Sequence, residues 1–361
     1  MLEQFHVPED SAVRVSHTAL LETAKAMFER VSVPHDDARI AADALVRADL
    51  RGVDSHGVSN MLRTYLSACK SGVINPQPTI KVLCETPATA NLDSDRGLGV
   101  VAAPKAMDMA ISKAKDVGVG MVTVCNGRHL GMASYHAMMA LEHNMIGVCV
   151  TTAAPRVVPT FGAVPRMGTN PIAVAAPAKR EPPFVFDAAT SVISGNKITI
   201  AHRLGTKLLG GWVPDDDGVP IMEEVESPTH VMPAILPLGS TREMSSHKGY
   251  GLACVVDILS GILSGGGYGI FPGRPYNYHM VAAYRIDAFT DVDGFKGMMD
   301  EFLQTLKETP PAPGYDRVLV PGQPEWEMEQ DRLANGIPLH EEVIQWFRRT
   351  CKEMEIPYVL E

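Results

Sequence analysis

The sequence predicts a mixed α/β chain, on three observations. Residues 16–71 show helical periodicity with no strand pattern among them. Two apolar runs, 117–124 and 146–152, have the length and the valine content of strands buried on both faces. Between and after them, short strand candidates alternate with helical segments. With 361 residues, the chain has room for two or three domains and a sizeable core. Its 45% apolar and 20% charged content is ordinary for a globular protein.

The elements follow in order. Ser16 can cap a first helix whose stripe is Leu20, Leu21, Ala24, Met27 and Phe28. Pro34 breaks it. Asp36 or Asp37 can cap a second helix, with Ile40, Ala44, Leu45 and Ala48 on one face, ending near Gly52. A third helix is expected over 59–71. Strands are expected at 80–83 and 89–92, then a helix with Pro104 in its first turn and periodicity over 106–114. Residues 129–143 read as helical, and 172–176 and 184–186 as short strands. Residues 203–247, rich in Gly, Pro and Asp, read as a long surface excursion. An apolar helix is expected over 248–263, a Gly- and Pro-rich stretch after 265, a strand at 280–284, and amphipathic helices over 294–307 and 339–353.

Several classes are disfavoured. The formal net charge is -10 and no run of five Lys/Arg occurs, so nucleic acid and anionic membrane are not expected partners. No stretch reaches the ~18 apolar residues of a spanning helix. The start, MLEQFHVPED, lacks the apolar core of a secretory leader. Six cysteines without a C-x-x-C pair point to reduced thiols and a cytoplasmic protein.

Five motifs carry chemical content. Gly97-Leu98-Gly99-Val100-Val101-Ala102 fits a relaxed dinucleotide fingerprint, but an acidic, turn-like segment precedes it where a strand is required, so it reads as a loop entering a helix. Asp54-Ser55-His56-Gly57 places a histidine at a helix-to-loop junction. An imidazole with a pKa near 6.5 can give and take a proton near neutrality, although a surface histidine in a helix-ending loop is the bland alternative. Ser55 is not expected to be a hydrolytic nucleophile: adjacent Ser and His rarely pair, and no G-x-S-x-G elbow is present. Asn126-Gly127-Arg128-His129-Leu130-Gly131 follows a buried strand and opens a helix, where phosphates bind. His129, His136 and His143 are spaced by seven, too far apart along a helix for metal ligands, so no metal is expected. Met167-Gly168-Thr169-Asn170-Pro171 and Asp187-Ala188-Ala189-Thr190-Ser191 offer a carboxylate at a strand end, either paired with a histidine or capping a turn. Ser246-His247-Lys248-Gly249-Tyr250-Gly251 opens an apolar helix with a lysine that could hold an anion or be merely exposed.

In order and spacing, the segments ADLRGVDSHGVSNMLRTYL, DRGLGVVAAPKAMDMAISKAKDVGVG, CNGRHLGMASYHAMMA, MGTNPIAVAAP, FDAATSVISGNKI, DDDGVP and LPLGSTREMSSHKGYGLACVVDILSGILSGG resemble the malate/L-lactate/L-sulfolactate dehydrogenase family. This lineage is unrelated to the Rossmann-fold lactate and malate dehydrogenases. The resemblance spans about residues 16–338. It implies a family-specific, non-Rossmann α/β (α+β-like) fold for dinucleotide binding, with a mixed, largely antiparallel sheet and helical N- and C-terminal segments. It implies a division into 1–75 packed with 322–361, a substrate-side region of 76–118 plus 268–321, and an NAD(P)-binding domain of 119–267.

The resemblance further implies NAD or NADP as cofactor, a small 2-oxo or 2-hydroxy acid as substrate, and a homodimer. Ser55, His56 and Asp187 match the family's proton relay, with His56 as donor in reduction. His129, Leu130, Gly131, Met132 and Ala133 match a cofactor segment. Further contacts are expected at Thr152, Thr160, Gly168, Thr169, Asn170, Pro177, Ala178, Lys179, Pro321 and Gly322. Many members carry Arg four residues after the catalytic histidine, where this chain has Asn60, and the usual Asn-Ser before the second histidine is Gly127-Arg128 here. Beside Asn60, the candidates for holding the substrate carboxylate are therefore Arg63, Arg128 and Lys248. Reduction of a cyclic imine carboxylate, and a nucleotide-binding protein without chemistry, are the alternatives.

Overall fold

The computed structural model describes residues 5–228, 232–270 and 277–360. Strand β1 (Ala12–Val15) leads into three helices, α1 (His17–Arg30), α2 (His35–Leu50) and α3 (Val58–Lys70). A sheet-forming region follows: β2 (Lys81–Glu85), β3 (Thr89–Asp93), α4 (Gly99–Val117), β4 (Val119–Gly127), α5 (Ala133–Met138), β5 (Met145–Thr151), β6 (Ile172–Ala176) and β7 (Phe184–Ala188). Then come α6 (Gly195–Leu204), α7 (Ser246–Val256) continued by a π-helical stretch (Asp257–Ile262), β8 (Asn277–Arg285), α8 (Val292–Lys307), α9 (Gln323–Asn335), β9 (Ile337–His340) and α10 (Glu341–Glu353).

Seven strands form one sheet in the order β2-β3-β4-β8-β5-β6-β7. Every pairing is antiparallel except β3 with β4. The mixed, largely antiparallel sheet implied by the sequence is therefore present. β8 comes late in the chain but lies at the centre, which explains its apolar run: six consecutive residues, Tyr278–Ala283 of β8, are buried.

The two faces of the sheet pack differently. On one, Val122, Val124, Cys149, Ala173, Val281 and Ala283 meet the alanine-rich sides of α4 and α5. Those helices come so close that a Cβ on Gly120 would overlap Ala110 O, and one on Gly147 would overlap Ala137 O. On the other face, Val150, Met280 and Ala282 pack against Val256. The chain ends share a separate core: Leu20, Phe28, Leu45, Leu62 and Tyr65 of α1–α3 pack with Ile337, Leu339, Ile344 and Phe347 of β9 and α10. β1 and β9 pair antiparallel, Ala12 opposite His340.

Four local expectations change. α4 begins at Gly99, so Pro104 lies inside the helix; burial of the Val100–Ala103 stretch outweighs the one backbone bond that Pro104 cannot donate. Asp36 and Asp37 occupy the first turn of α2, with Pro34 at the cap position, where they still meet the positive end of the helix dipole. The expected 129–143 helix is broken: Gly131 has φ +76, a left-handed geometry that no continuous helix admits, so only α5 and a short 3-10 turn (Leu141–His143) form. The 203–247 segment builds its own core, with Leu208, Trp212, Val213 and Ile235 buried against Phe5, Val157 and Ile198. Residues 271–276 of the Gly/Pro-rich stretch and residues 229–231 lie outside the described residues.

Candidate active site

The Asp54-Ser55-His56-Gly57 run joins α2 to α3, and its shape follows from local polar contacts. Asp49, near the end of α2, accepts the Val58 N–H through Oδ2 at 2.8 Å and so caps α3 from a distance. Its carboxylate fills the space where a Cβ on Gly57 would lie, so only glycine fits there. Burial and the charge of Asp54 push the Asp49 carboxyl well above its ordinary range. Arg332 of α9 donates to both oxygens of Asp54, one at 3.2 Å, and to the carbonyl of Asp49. The amide of Asn196, on the first turn of α6, donates to Ser55 O at 2.7 Å.

Two imidazoles then stack. The His56 and His129 rings lie 5.4 Å apart at 12°. Ser55 Oγ is 2.8 Å from His56 Nδ1, so this adjacent Ser–His pair does hydrogen-bond, contrary to the sequence expectation. His129 Nδ1 accepts from the Tyr65 hydroxyl (2.7 Å) and from Gly131 N–H (3.2 Å). Those two donors leave the ring proton of neutral His129 on Nε2. The Nε2 atoms of both rings are free of protein hydrogen-bond partners among the described residues. Burial lowers His56 to about 4. Burial, reinforced by the neighbouring His56, His279 and His136, lowers His129 to about 3. Both imidazoles are therefore neutral at pH 7.

Asp187 stands near the end of β7, exposed, with Oδ2 accepting the Ser134 N–H at 2.7 Å. Crowding by protein raises its carboxyl, and the amide and hydroxyl of Ser134 oppose that rise. Ser134 belongs to α5, directly after the 129–133 run, so Asp187 is tied to the segment that carries His129. No hydrogen bond joins Asp187 to His56 among the described residues.

The other sequence candidates divide. Most of those expected to touch cofactor already have polar partners. Thr152 Oγ1 accepts Tyr278 N–H at 2.9 Å. Thr169 O accepts from Thr190 N–H, which ties it to the segment following β7. Asn170 is fully buried and bonds Ala153 N, Ala253 O and Asp257. A Cβ on Gly168 would overlap Ala153 O. The N–H of Lys179, after Pro177 and Ala178, donates to Asp300 at 2.9 Å. Pro321 O accepts Val185 N–H, and Gly322 (φ +89) packs on Val185, so this loop lies against β7. Thr160 Oγ1 and Ser246 Oγ are 3.1 Å apart.

Of the expected substrate anchors, Arg63 is held by Glu342 in a two-bond pair (3.0 and 3.2 Å) and lies over Trp346. Arg128 donates to Val73 O and Gly127 O. Asn60 spends its amide on Asp54 O and on Arg203. Lys248 is exposed at the start of α7. None of these side chains hydrogen-bonds to the imidazole pair among the described residues.

Sequence reasoning missed Tyr65, Asn196, Lys197, Arg203 and Arg332. Tyr65 lies within the third helix expected over 59–71, where nothing in the sequence marks it out. The others sit on α6 and α9, two helices whose apolar pattern is weak. Lys197 stands out because burial lowers its pKa and no acidic group balances it.

The residues present fit a nicotinamide cofactor. Two stacked, neutral imidazoles, each with an Nε2 that has no protein hydrogen-bond partner among the described residues, can serve the oxygen of a carbonyl that gains or loses hydride. Among the described residues no cluster of three His, Cys, Asp or Glu side chains could hold a metal ion, no helix is long and apolar enough to cross a membrane, and no two cysteines form a disulfide.

Known proteins place this arrangement. The profile of the malate/L-lactate dehydrogenase family matches residues 15–348. The chain is 39% identical to a malate dehydrogenase of Pyrococcus abyssi, over 99% of each chain. It is 36% identical to an L-sulfolactate dehydrogenase of Methanocaldococcus jannaschii, over 91% of this chain and 93% of that one. The solved structure of a malate dehydrogenase from Pyrococcus horikoshii superposes with a TM-score of 0.88 at 34% identity, covering 98% of this chain and 99% of that one. The chain belongs to the malate/L-lactate dehydrogenase family.

Proposed function

We propose that this protein interconverts a small 2-oxo acid and the corresponding 2-hydroxy acid with NAD(H) or NADP(H), using His56 as the group that gives and takes the proton. The observation that carries the reading is the stacked His56–His129 pair with different partners on its two Nδ1 atoms. A nicotinamide bound in the cleft would supply or accept the hydride at C2. The names of the malate and sulfolactate relatives support the substrate class.

The two histidines are suited to different work. His56 Nδ1 faces a hydroxyl oxygen, which can accept the Nδ1–H of the neutral ring and of the protonated ring alike. His56 can therefore gain and lose a proton on Nε2 without orphaning a partner. His129 Nδ1 is fixed as an acceptor by a backbone N–H that cannot reverse. Its Nε2–H is then a standing donor toward the substrate oxygen. Asp187, anchored at Ser134, would steady the segment that carries His129. In the free protein the proton on His56 is disfavoured by burial; the negative charge of a bound 2-oxo acid would favour it and prime the ring for reduction.

For the carboxylate itself we propose Lys197. Arg63 and Arg203 are committed to Glu342, Arg332 to Asp54 and Arg128 to backbone carbonyls. Lys197 is half-buried, has no ion-pair partner among the described residues, and is adjacent to the Asn196 that holds Ser55. Such an ammonium is costly to bury until an anion meets it.

One mutant panel tests these roles, with pyruvate, oxaloacetate and sulfopyruvate assayed against NADH and NADPH. His56→Ala should lower kcat by roughly 100- to 10,000-fold with cofactor binding unchanged. His129→Ala should lower kcat less, with the pH dependence of the reaction retained. Lys197→Met should raise KM for the oxo acid at least tenfold and leave cofactor affinity alone. Wild-type turnover in His56→Ala would remove the assignment, and loss of the pH dependence in His129→Ala would exchange the two roles.

A further inference from the structure

Helix α9 and the loop that enters it touch both the segment before His56 and strand β7. Glu325, Met328, Glu329 and Arg332 fall at the i, i+3, i+4 and i+7 spacing that puts them on one face. Glu325 is near enough to raise the Asp187 carboxyl. Met328 Cγ lies 2.9 Å from where a Cβ on Gly52 would be. Glu329 grips Arg47 and, at 2.9 Å, Arg51 on α2. Arg332, 2% exposed, holds Asp54 and the Asp49 carbonyl. At the start of the helix, Gly322 and Pro321 lie on Val185, two residues before Asp187.

We infer that Arg332 is a positioning residue for His56, and that α9 acts as a splint setting the spacing between the His56 loop and β7. The inference rests on the proposed role of His56. Arg332 touches no reacting atom in that mechanism; it works through Asp54, two residues before the histidine. A guanidinium fits this task because its planar fork meets both carboxylate oxygens and fixes a direction, whereas an ammonium fixes only a distance. The same loop is held from below by Asp49 on the Val58 N–H and from the side by Asn196 on Ser55 O. Loss of the Arg332 contact therefore leaves the loop attached but free to tilt. A tilt of about 1 Å at a proton-transfer group costs roughly 100-fold in rate.

The test uses Asp54→Asn and Arg332→Lys in the full-length protein, with Arg332→Gln for comparison. The Asn amide oxygen still accepts from Arg332, and Lys keeps the buried charge, so both conservative variants should fold. We expect Asp54→Asn to lose roughly 10- to 100-fold in kcat, with cofactor Kd by fluorescence within twofold of wild type. Arg332→Lys should recover part of what Arg332→Gln loses. An NMR titration of the His56 ring without substrate should show its midpoint moving up toward 6.5 in Asp54→Asn, as the loosened ring gains water. That titration reads positioning even if the protein turns over none of the oxo acids, so failure of the inference and failure of the proposed reaction give different results. Wild-type kcat and an unmoved His56 midpoint in Asp54→Asn would overturn the inference, as would a kcat loss that only tracks the unfolded fraction seen by circular dichroism.

Discussion

At the scale of single residues, two histidines of the same type in the same pocket differ because of what faces Nδ1. A hydroxyl leaves His56 free to change charge, and a backbone amide fixes His129 in one state. The pH dependence follows. In the proposed reaction, oxidation of a 2-hydroxy acid would need neutral His56 as the base. Its pKa in the free protein is lowered from 6.5 to about 4, so log kcat/KM for oxidation should rise with pH, bend near 4, and stay flat through neutrality. Reduction needs the protonated ring, and its kcat/KM should fall as pH rises above that point. A bend near 6.5 in the oxidation profile would mean that the ring is solvated in the working protein. The run Asp54-Ser55-His56-Gly57 was legible in the sequence because it is contiguous. Its partners were not: Arg332 lies 278 residues from Asp54, and Asn196 lies 141 from Ser55.

At the scale of elements, legibility depended on what each helix or strand buries. The central strands and α1–α3 bury apolar side chains at regular intervals, and those intervals are visible in the sequence. α9 buries Glu329 and Arg332 in place of an apolar stripe, so a hydrophobic pattern could not reveal it. α6 carries Ile198, Thr199 and Ile200 in succession, a β-branched run that argues locally for a strand; packing of Ile198, Ile200 and Ala201 against Val157 and Ile235 prevails. The fingerprint-like Gly97-Leu98-Gly99 has a structural cause instead: a Cβ on Gly99 would overlap Arg128 O, so the glycine lets α4 begin against the loop that carries His129. The same close approach recurs where α5 crosses β5 at Gly147. Gly147→Ala should therefore destabilise the fold by roughly 1–3 kcal/mol through overpacking, read from urea denaturation. An unchanged unfolding midpoint would show that α5 can shift away without cost.

At the scale of the whole molecule, residues early and late in the chain build one core. Tyr65, which donates to His129, packs in the cluster that β9 and α10 complete. Ending the chain after Gly336 removes both elements and uncovers Leu20, Phe28 and Leu45. The truncated chain should be poorly soluble, bind a hydrophobic dye, and lack activity. A soluble, dye-silent, active product would show that the first three helices pack without their C-terminal cover.

The ion pair between Asp54 and Arg332 also has a consequence in time. During synthesis the Asp54-Ser55-His56-Gly57 run leaves the ribosome long before α9 does. Until then the loop lacks its Arg332 contact and α1–α3 lack their cover. The bringing together of such distant segments is a slow, entropically opposed step. A growing chain that already carries both histidines and the whole sheet up to α8 would thus remain inert. Turnover would begin only once the final helices dock, so every partly made copy is silent by construction.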